Sequence, residues 1–257
     1  MINIDKYAYS SKLKMINPME KFIFSIVTLI VCLSVNNIVD SIIVIGVMGI
    51  ITVFVGKTPL RLFLKLLTIP LTFLIIGILT ITINYSINPD NFIISINIFG
   101  GFIGVSKLGI YKALVLFFKV LASVCCLYFL SLSTPMVDIL AVLEKLKVPS
   151  IMIEMMSLIY RFIFILLETV DTMFIAQNSR LGYSNIKSSY KSLGALISSL
   201  FIRSFKRAND MYTSLESRGY DGELNVLLEP YKKCTKIYII TIIINVVFII
   251  AKILLIK

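Results

Sequence analysis

Apolar residues in this chain are gathered into long runs, and the polar positions fall in short breaks between them. Phe22 to Val35 is a first run, just long enough with its flanks to cross a bilayer, and Asn36-Asn37 turns it tightly into a second, Ile38 to Val55. Gly56-Lys57-Thr58-Pro59 breaks that run. Leu60 to Ile83 is a third span, in which Pro70 and Gly77 are tolerated because neighbouring groups re-satisfy the backbone. Asn84 to Ser106 is rich in Asn, Ser and Gly and reads as a loop outside the membrane, and Leu108 to Leu130 reads as a fourth span. A last run, Ile237 to Ile256, is almost purely Ile, Val and Leu.

Between the fourth and last runs the pattern changes. Ser133 or Thr134 can cap a short amphipathic helix, Met136 to Lys147, with Pro135 in its first turn and Val148-Pro149 ending it. A helical run from Ile151 to Gln177 follows, then a polar connector from Gly182 to Ser192 and a second helical run from about Leu193 to Glu216. Ile151 to Leu167 is apolar enough for a span, but Glu154, Arg161 and Glu168 recur every seven residues and mark one polar face. Such a helix either lies on the membrane or hides its charged stripe inside a bundle. The expected fold is therefore an all-α membrane protein with about five transmembrane helices and a cytoplasmic or interfacial helical domain. Residues 1–133 carry the leader and four spans, 134–235 the cytoplasmic domain, and 236–257 the final span.

Composition agrees with a bilayer as solvent: 58% of the 257 residues are hydrophobic, and the mean hydropathy is +0.95. The net charge of +11 acts first as a topology signal. Basic residues lie in the leader (Lys6, Lys12, Lys14, Lys21), around 57–65 and through 144–236, whereas 84–106 carries none. Five spans with a cytoplasmic N-terminus put all three basic regions in the cytoplasm. The polar leader shows no cleavable signal pattern, so the start is expected to be a retained anchor.

Chemistry-bearing groups are sparse. With no His there is no His-based triad, no P-loop pattern is present, and the spans offer a metal only scattered cysteines and Asp40, so no resident metal, catalytic residue or cofactor is expected. Cys32, Cys125, Cys126 and Cys234 have no metal-site spacing, and the first three read as small apolar residues. Lys119 is the one costly charge within a span; it either faces a bundle interior or water path, or snorkels to an interface. What stands out is a repeat. Ser179-Arg180-Leu181-Gly182-Tyr183 and Ser217-Arg218-Gly219-Tyr220-Asp221-Gly222 each close a helical run. Arginine before glycine at a helix end also complements the helix dipole, yet two such tips held roughly 40 Å apart on an antiparallel pair would suit a partner with two equivalent pockets.

These residues, with Thr134-Pro135-Met136-Val137-Asp138, Leu146-Lys147-Val148-Pro149, Tyr160-Arg161-Phe162 and Arg203-Ser204-Phe205-Lys206-Arg207-Ala208, resemble the transmembrane component of energy-coupling factor transporters, most closely the CbiQ family associated with cobalt uptake. The family's two Ala-Arg-Gly-like triplets match Ser179-Arg180-Leu181 and Ser217-Arg218-Gly219, departing by Ser for Ala in both and by Leu for Gly in the first, where Gly182 follows. The resemblance implies a non-enzymatic scaffold in the cell membrane that couples two ATP-binding-cassette subunits to a substrate-binding membrane subunit, with a small accessory subunit as a further partner. Ser179, Arg180, Gly182, Ser217, Arg218 and Gly219 would be its ATPase-coupling residues, ATP being bound by the partners. Cobalt comes from the resemblance alone. A nickel or vitamin system, a stand-alone secondary carrier, an intramembrane enzyme and a nucleic-acid patch at 187–207 are the competing readings, and scattered charges and absent catalytic sets argue against the last two.

Overall fold

A computed structural model describes residues 4–86, 92–98 and 101–220. These form two compact units, the first ending at Val142 and the second beginning at Leu143.

In the first unit a short helix α1 (Ile4–Ser10) and a 3-10 turn (Lys12–Met15) lead into α2 (Pro18–Ser34), whose start is fixed by Pro18 and by Asn17, which accepts the Met19 N–H at 3.0 Å. Asn37 starts α3 (Ile38–Ile50) in the same way. The last turn of that helix widens into a π segment, Ile51–Val55. Its cause is local: the Gly56 N–H reaches back to Ile51, and a side chain at Gly56 would strike the Thr52 carbonyl at 2.5 Å. α4 (Leu60–Thr82) and α5 (Lys107–Ser133) follow, then α6 (Met136–Lys145).

α5 is the central helix, touching α2, α3 and α4. The reason is a stripe of small and apolar residues, Ala122, Cys125, Cys126 and Phe129, at helical spacing and all buried. Phe129 meets Phe24 of α2 edge-on at 5.4 Å, and Ser25 donates to the Cys126 carbonyl at 2.7 Å, so the two backbones approach closely. The three described cysteines, Cys32, Cys125 and Cys126, are free and buried; Cys234 lies outside the described residues.

Two side-chain contacts tie the leader and the start of α2 to other parts of this unit. Ser11 donates to the Gly56 carbonyl at 3.2 Å, joining the leader to the α3–α4 connection. Lys21 donates to Leu13 at 3.1 Å and to Ser133, the last residue of α5, at 2.9 Å.

Two expectations need correction. The stretch from Asn84 to Ser106 is not simply loop: β1 (Ile83–Ser86), β2 (Phe92–Ile98) and β3 (Gly101–Ser106) form an antiparallel sheet in the order β1-β3-β2. Apolar alternation at Phe92, Ile94, Ile96 and Ile98 carried that signal beneath the Asn and Ser content. The protein remains overwhelmingly helical. The polar connector after the first long helix is also shorter than expected, because the next helix begins at Ile186 rather than near Leu193.

The second unit holds α7 (Ser150–Ser179) and α8 (Ile186–Glu216). Among the described residues, Ile38–Val55, α4, α5 and α7 are long and apolar enough to cross a membrane, while α2 has 17 residues. α7 thus meets the length and hydropathy of a span despite its polar stripe. The expected final span, 237–256, lies outside the described residues.

Candidate functional site: two arginine tips on one helix pair

α7 and α8 are joined at both ends. Near the connection, the Gln177 amide donates to the Ser192 carbonyl at 3.0 Å, and Ser188 and Ser192 both donate to the Gly182 carbonyl, at 3.0 and 2.9 Å. At the other end, Tyr220 donates to a Glu154 carboxylate oxygen at 2.7 Å. The helices therefore run antiparallel. At ~1.5 Å per residue, the stretch of α7 from Glu154 to Arg180 separates the two arginines by roughly 40 Å.

The two tips share one backbone design. After α7, the Leu181 N–H bonds the Asn178 carbonyl at 3.0 Å and the Gly182 N–H bonds Gln177 at 2.9 Å. After α8, the Gly219 N–H bonds Glu216 at 3.0 Å and the Tyr220 N–H bonds Leu215 at 3.0 Å. Both are Schellman closures. In each, the arginine immediately precedes the left-handed residue, Leu181 with φ 60 or Gly219 with φ 75. The preceding serine also acts alike in the two: Ser179 donates to Ile175 at 2.9 Å and Ser217 to Thr213 at 2.7 Å.

This geometry revises the role of Gly182. The left-handed position belongs to Leu181, and Gly182 is needed for closeness: a Cβ there would lie 2.7 Å from the Ser192 hydroxyl and 2.8 Å from the Gln177 carbonyl. Each tip also has its tyrosine as a brace. Tyr183 donates to the Gln177 side chain at 2.8 Å and its ring sits 4.8 Å from that of Phe174, while Tyr220 makes the Glu154 bond. The paired Ser-Arg-Gly-Tyr resemblance in sequence is therefore a paired geometry, though the two tyrosines brace different neighbours.

Both guanidinium groups are exposed, and neither has an ion-pair or hydrogen-bond partner among the described residues. Arginine in that state offers a planar five-donor fork to an incoming carboxylate or carbonyl.

A family model for cobalt transport proteins, CbiQ, matches residues 9–227 of this chain, a span that takes in both tips. The chain belongs to the CbiQ family. An uncharacterized protein of Methanocaldococcus jannaschii is 38% identical over 224 residues, covering 87% of this chain and 82% of that protein. The cobalt transport protein CbiQ of Salmonella typhimurium is 25% identical over 226 residues, covering 88% of this chain and all of the relative. The energy-coupling factor transporter transmembrane protein EcfT of Staphylococcus aureus is 31% identical over 136 residues, about half of each chain. As a CbiQ-family chain with several apolar helices long enough to cross a bilayer, this is a multi-pass membrane protein whose relatives are transport components.

The burial of Lys21 in this CbiQ-family chain was not foreseen from sequence, and Lys119, singled out there, gains a partner. Lys21, read as one more basic residue of the leader, is fully buried, and the Asp138 carboxylate is near enough to attract it. Lys119 is bound to the Asn36 side chain at 2.8 Å and borders a pocket of about 300 Å³ with Tyr111 and Lys112. No group of three or more His, Cys, Asp or Glu side chains able to hold a metal occurs among the described residues.

Proposed function

We propose that this chain is the membrane scaffold and energy-transducing subunit of an ATP-driven, energy-coupling-factor importer for cobalt ion that supplies cobalamin synthesis. The observation that carries the reading is the pair of matched, unpartnered arginine tips at opposite ends of one helix pair. Each arginine docks in a groove of one subunit of an ATP-binding-cassette dimer, so that closure of the dimer on ATP drags the two ends of the α7–α8 pair. That motion passes to the membrane helices and reorients a separate substrate-binding membrane subunit, assisted by a small accessory subunit. ATP is bound and hydrolysed by the partners, and this chain is non-catalytic.

In this reading the protein sits in the cell membrane with its N-terminus and residues 134–235 in the cytoplasm. The two tips themselves argue for the orientation of α7. Were α7 to cross the bilayer, Arg180 and Arg218 would face opposite compartments, and no soluble ATPase pair could hold both. α7 therefore lies along the inner face, with its Glu154, Arg161 and Glu168 stripe turned to the polar side. Cobalt is favoured over nickel or a vitamin because the relatives matched along nearly the whole chain include one named for cobalt transport, whereas EcfT matches half.

The test is a detergent pull-down with wild type and the Arg180→Glu, Arg218→Glu double variant, the captured chains being identified by mass spectrometry. Wild type should bring down ATP-binding subunits and a membrane partner, and the double variant should lose the ATPases. Capture of no ATPase by wild type, with substrate carried by the lone chain in liposomes, would replace this reading with that of a secondary carrier.

A further inference from the structure

A groove of about 560 Å³ runs between α7 and α8, with neither Arg180 nor Arg218 in its lining, and its two walls differ in chemistry. Phe162, Ile165 and Leu166 of α7 make one wall apolar, and Arg203, Lys206 and Arg207 of α8 set three cations along the other. Asp210 is the one carboxylate in the lining. None of the three cations has an ion-pair partner among the described residues, so the groove holds an uncompensated positive charge beside apolar surface. Its volume is that of an ordinary small-molecule site.

We infer that this groove binds an anionic phospholipid, with the headgroup phosphate on Arg203, Lys206 and Arg207 and the first acyl carbons against Phe162, Ile165 and Leu166. Guanidinium forks match phosphate oxygens in pairs, and a lysine adds a point charge. An acyl chain suits the other wall for a separate reason. α7 has a window of mean hydropathy 1.9 yet no buried residue in its unit, so its apolar faces need an apolar surrounding. α8 carries five basic residues against two acidic ones, which also favours an anionic leaflet. A free phosphate would satisfy the cations and leave the apolar wall wet. The inference rests on the placement of the helix pair at the inner membrane face.

The chain contains no Trp, so Phe162→Trp places a sole reporter on the groove wall. In phosphatidylcholine nanodiscs carrying the full chain, brominated phosphatidylglycerol should quench that fluorophore at about tenfold lower mole fraction than brominated phosphatidylcholine. Arg203→Gln with Arg207→Gln should remove the preference, whereas Arg180→Glu with Arg218→Glu should keep it while losing the ATPases, which separates this inference from the coupling reading. With the groove arginines intact, the preference should also collapse in about 0.5 M sodium chloride, a readout that does not depend on the Gln variants folding. Equal quenching by the two lipids, or a preference that survives the Gln substitutions or the salt, would overturn the inference. Loss of the preference to millimolar inorganic phosphate at matched ionic strength would assign the site to a free anion instead. Shielding from both lipids only when partner chains are bound would assign it to a protein.

Discussion

Tyr220 and Glu154, 66 residues apart in sequence, are joined by a 2.7 Å hydrogen bond that fastens the end of α8 to the start of α7. The bond lies two residues beyond Arg218, so it sets where that arginine is presented. Tyr220→Phe removes the donor and leaves the carboxylate without it, at a cost of about 1 to 2 kcal/mol for a half-buried bond to a charged acceptor. The expected outcome is faster amide exchange over the last turn of α8 with little change at Arg180, and ATPase capture weakened less than by Arg218→Glu. Unchanged exchange at residues 215–220 would show that the bond does not hold the tip.

The second prediction concerns Leu181, which pays the left-handed penalty that Gly219 avoids at the matching position. Leu181 is 73% exposed, so its side chain contributes little packing. Leu181→Gly should stabilise the α7 cap by up to about 1 kcal/mol, and Gly219→Ala should destabilise the α8 cap by a similar amount. Gly182→Ala should be worse than either, because its new methyl meets Ser192 and Gln177 inside contact distance. Thermal unfolding of the three variants in one detergent gives the order directly; a neutral Gly182→Ala would refute the close-approach argument.

The sequence made the long helices legible because apolar runs of bilayer length, broken by Gly56 and the Asn36-Asn37 pair, leave little choice of ends. It also made the two tips legible, since Ser-Arg with a nearby Gly and Tyr occurs twice. Which residue took the left-handed position was hidden: Gly182 is the statistical choice, and only the bonds from Leu181 to Asn178 and from Gly182 to Gln177 reverse it. The first two turns of α8 were misread because Ser and Lys mask a stripe, Ile186, Tyr190, Leu193 and Ile197, whose spacing is already helical. Lys21 could not be recognised at all, because its carbonyl partners Leu13 and Ser133 are backbone groups, and nothing in a sequence marks which carbonyls a lysine will meet.

Lys21 carries the third prediction. It is fully buried and donates to two carbonyls from opposite ends of the unit's sequence, with Asp138 as its nearby counter-charge. Lys21→Ala takes the cation from both carbonyl acceptors and from Asp138's field at once, and breaking a buried charged contact of this kind costs about 3 to 5 kcal/mol. The folded fraction on heating in detergent should fall sharply. Lys21→Met with Asp138→Asn should cost less than the sum of the two single changes, by at least about 1 kcal/mol, if the charges act on each other. Strict additivity would confine the role of Lys21 to its two carbonyl bonds.

The fourth prediction decides the orientation of α7, on which the coupling reading depends. Ser179 and Ser217 sit beside the two arginines and are exposed, each donating only to its own helix, at 2.9 and 2.7 Å. Ser179→Cys or Ser217→Cys therefore perturbs the tips little. Cys32, Cys125 and Cys126 are buried, and Cys234→Ser removes the fourth cysteine. In sealed cells, an impermeant maleimide applied outside should label neither new thiol, and the same reagent in inverted vesicles should label both. Labelling of Ser179→Cys from outside and of Ser217→Cys from inside would mean that α7 crosses the bilayer. The two arginines would then lie in different compartments, and an ATPase dimer could grip at most one of them.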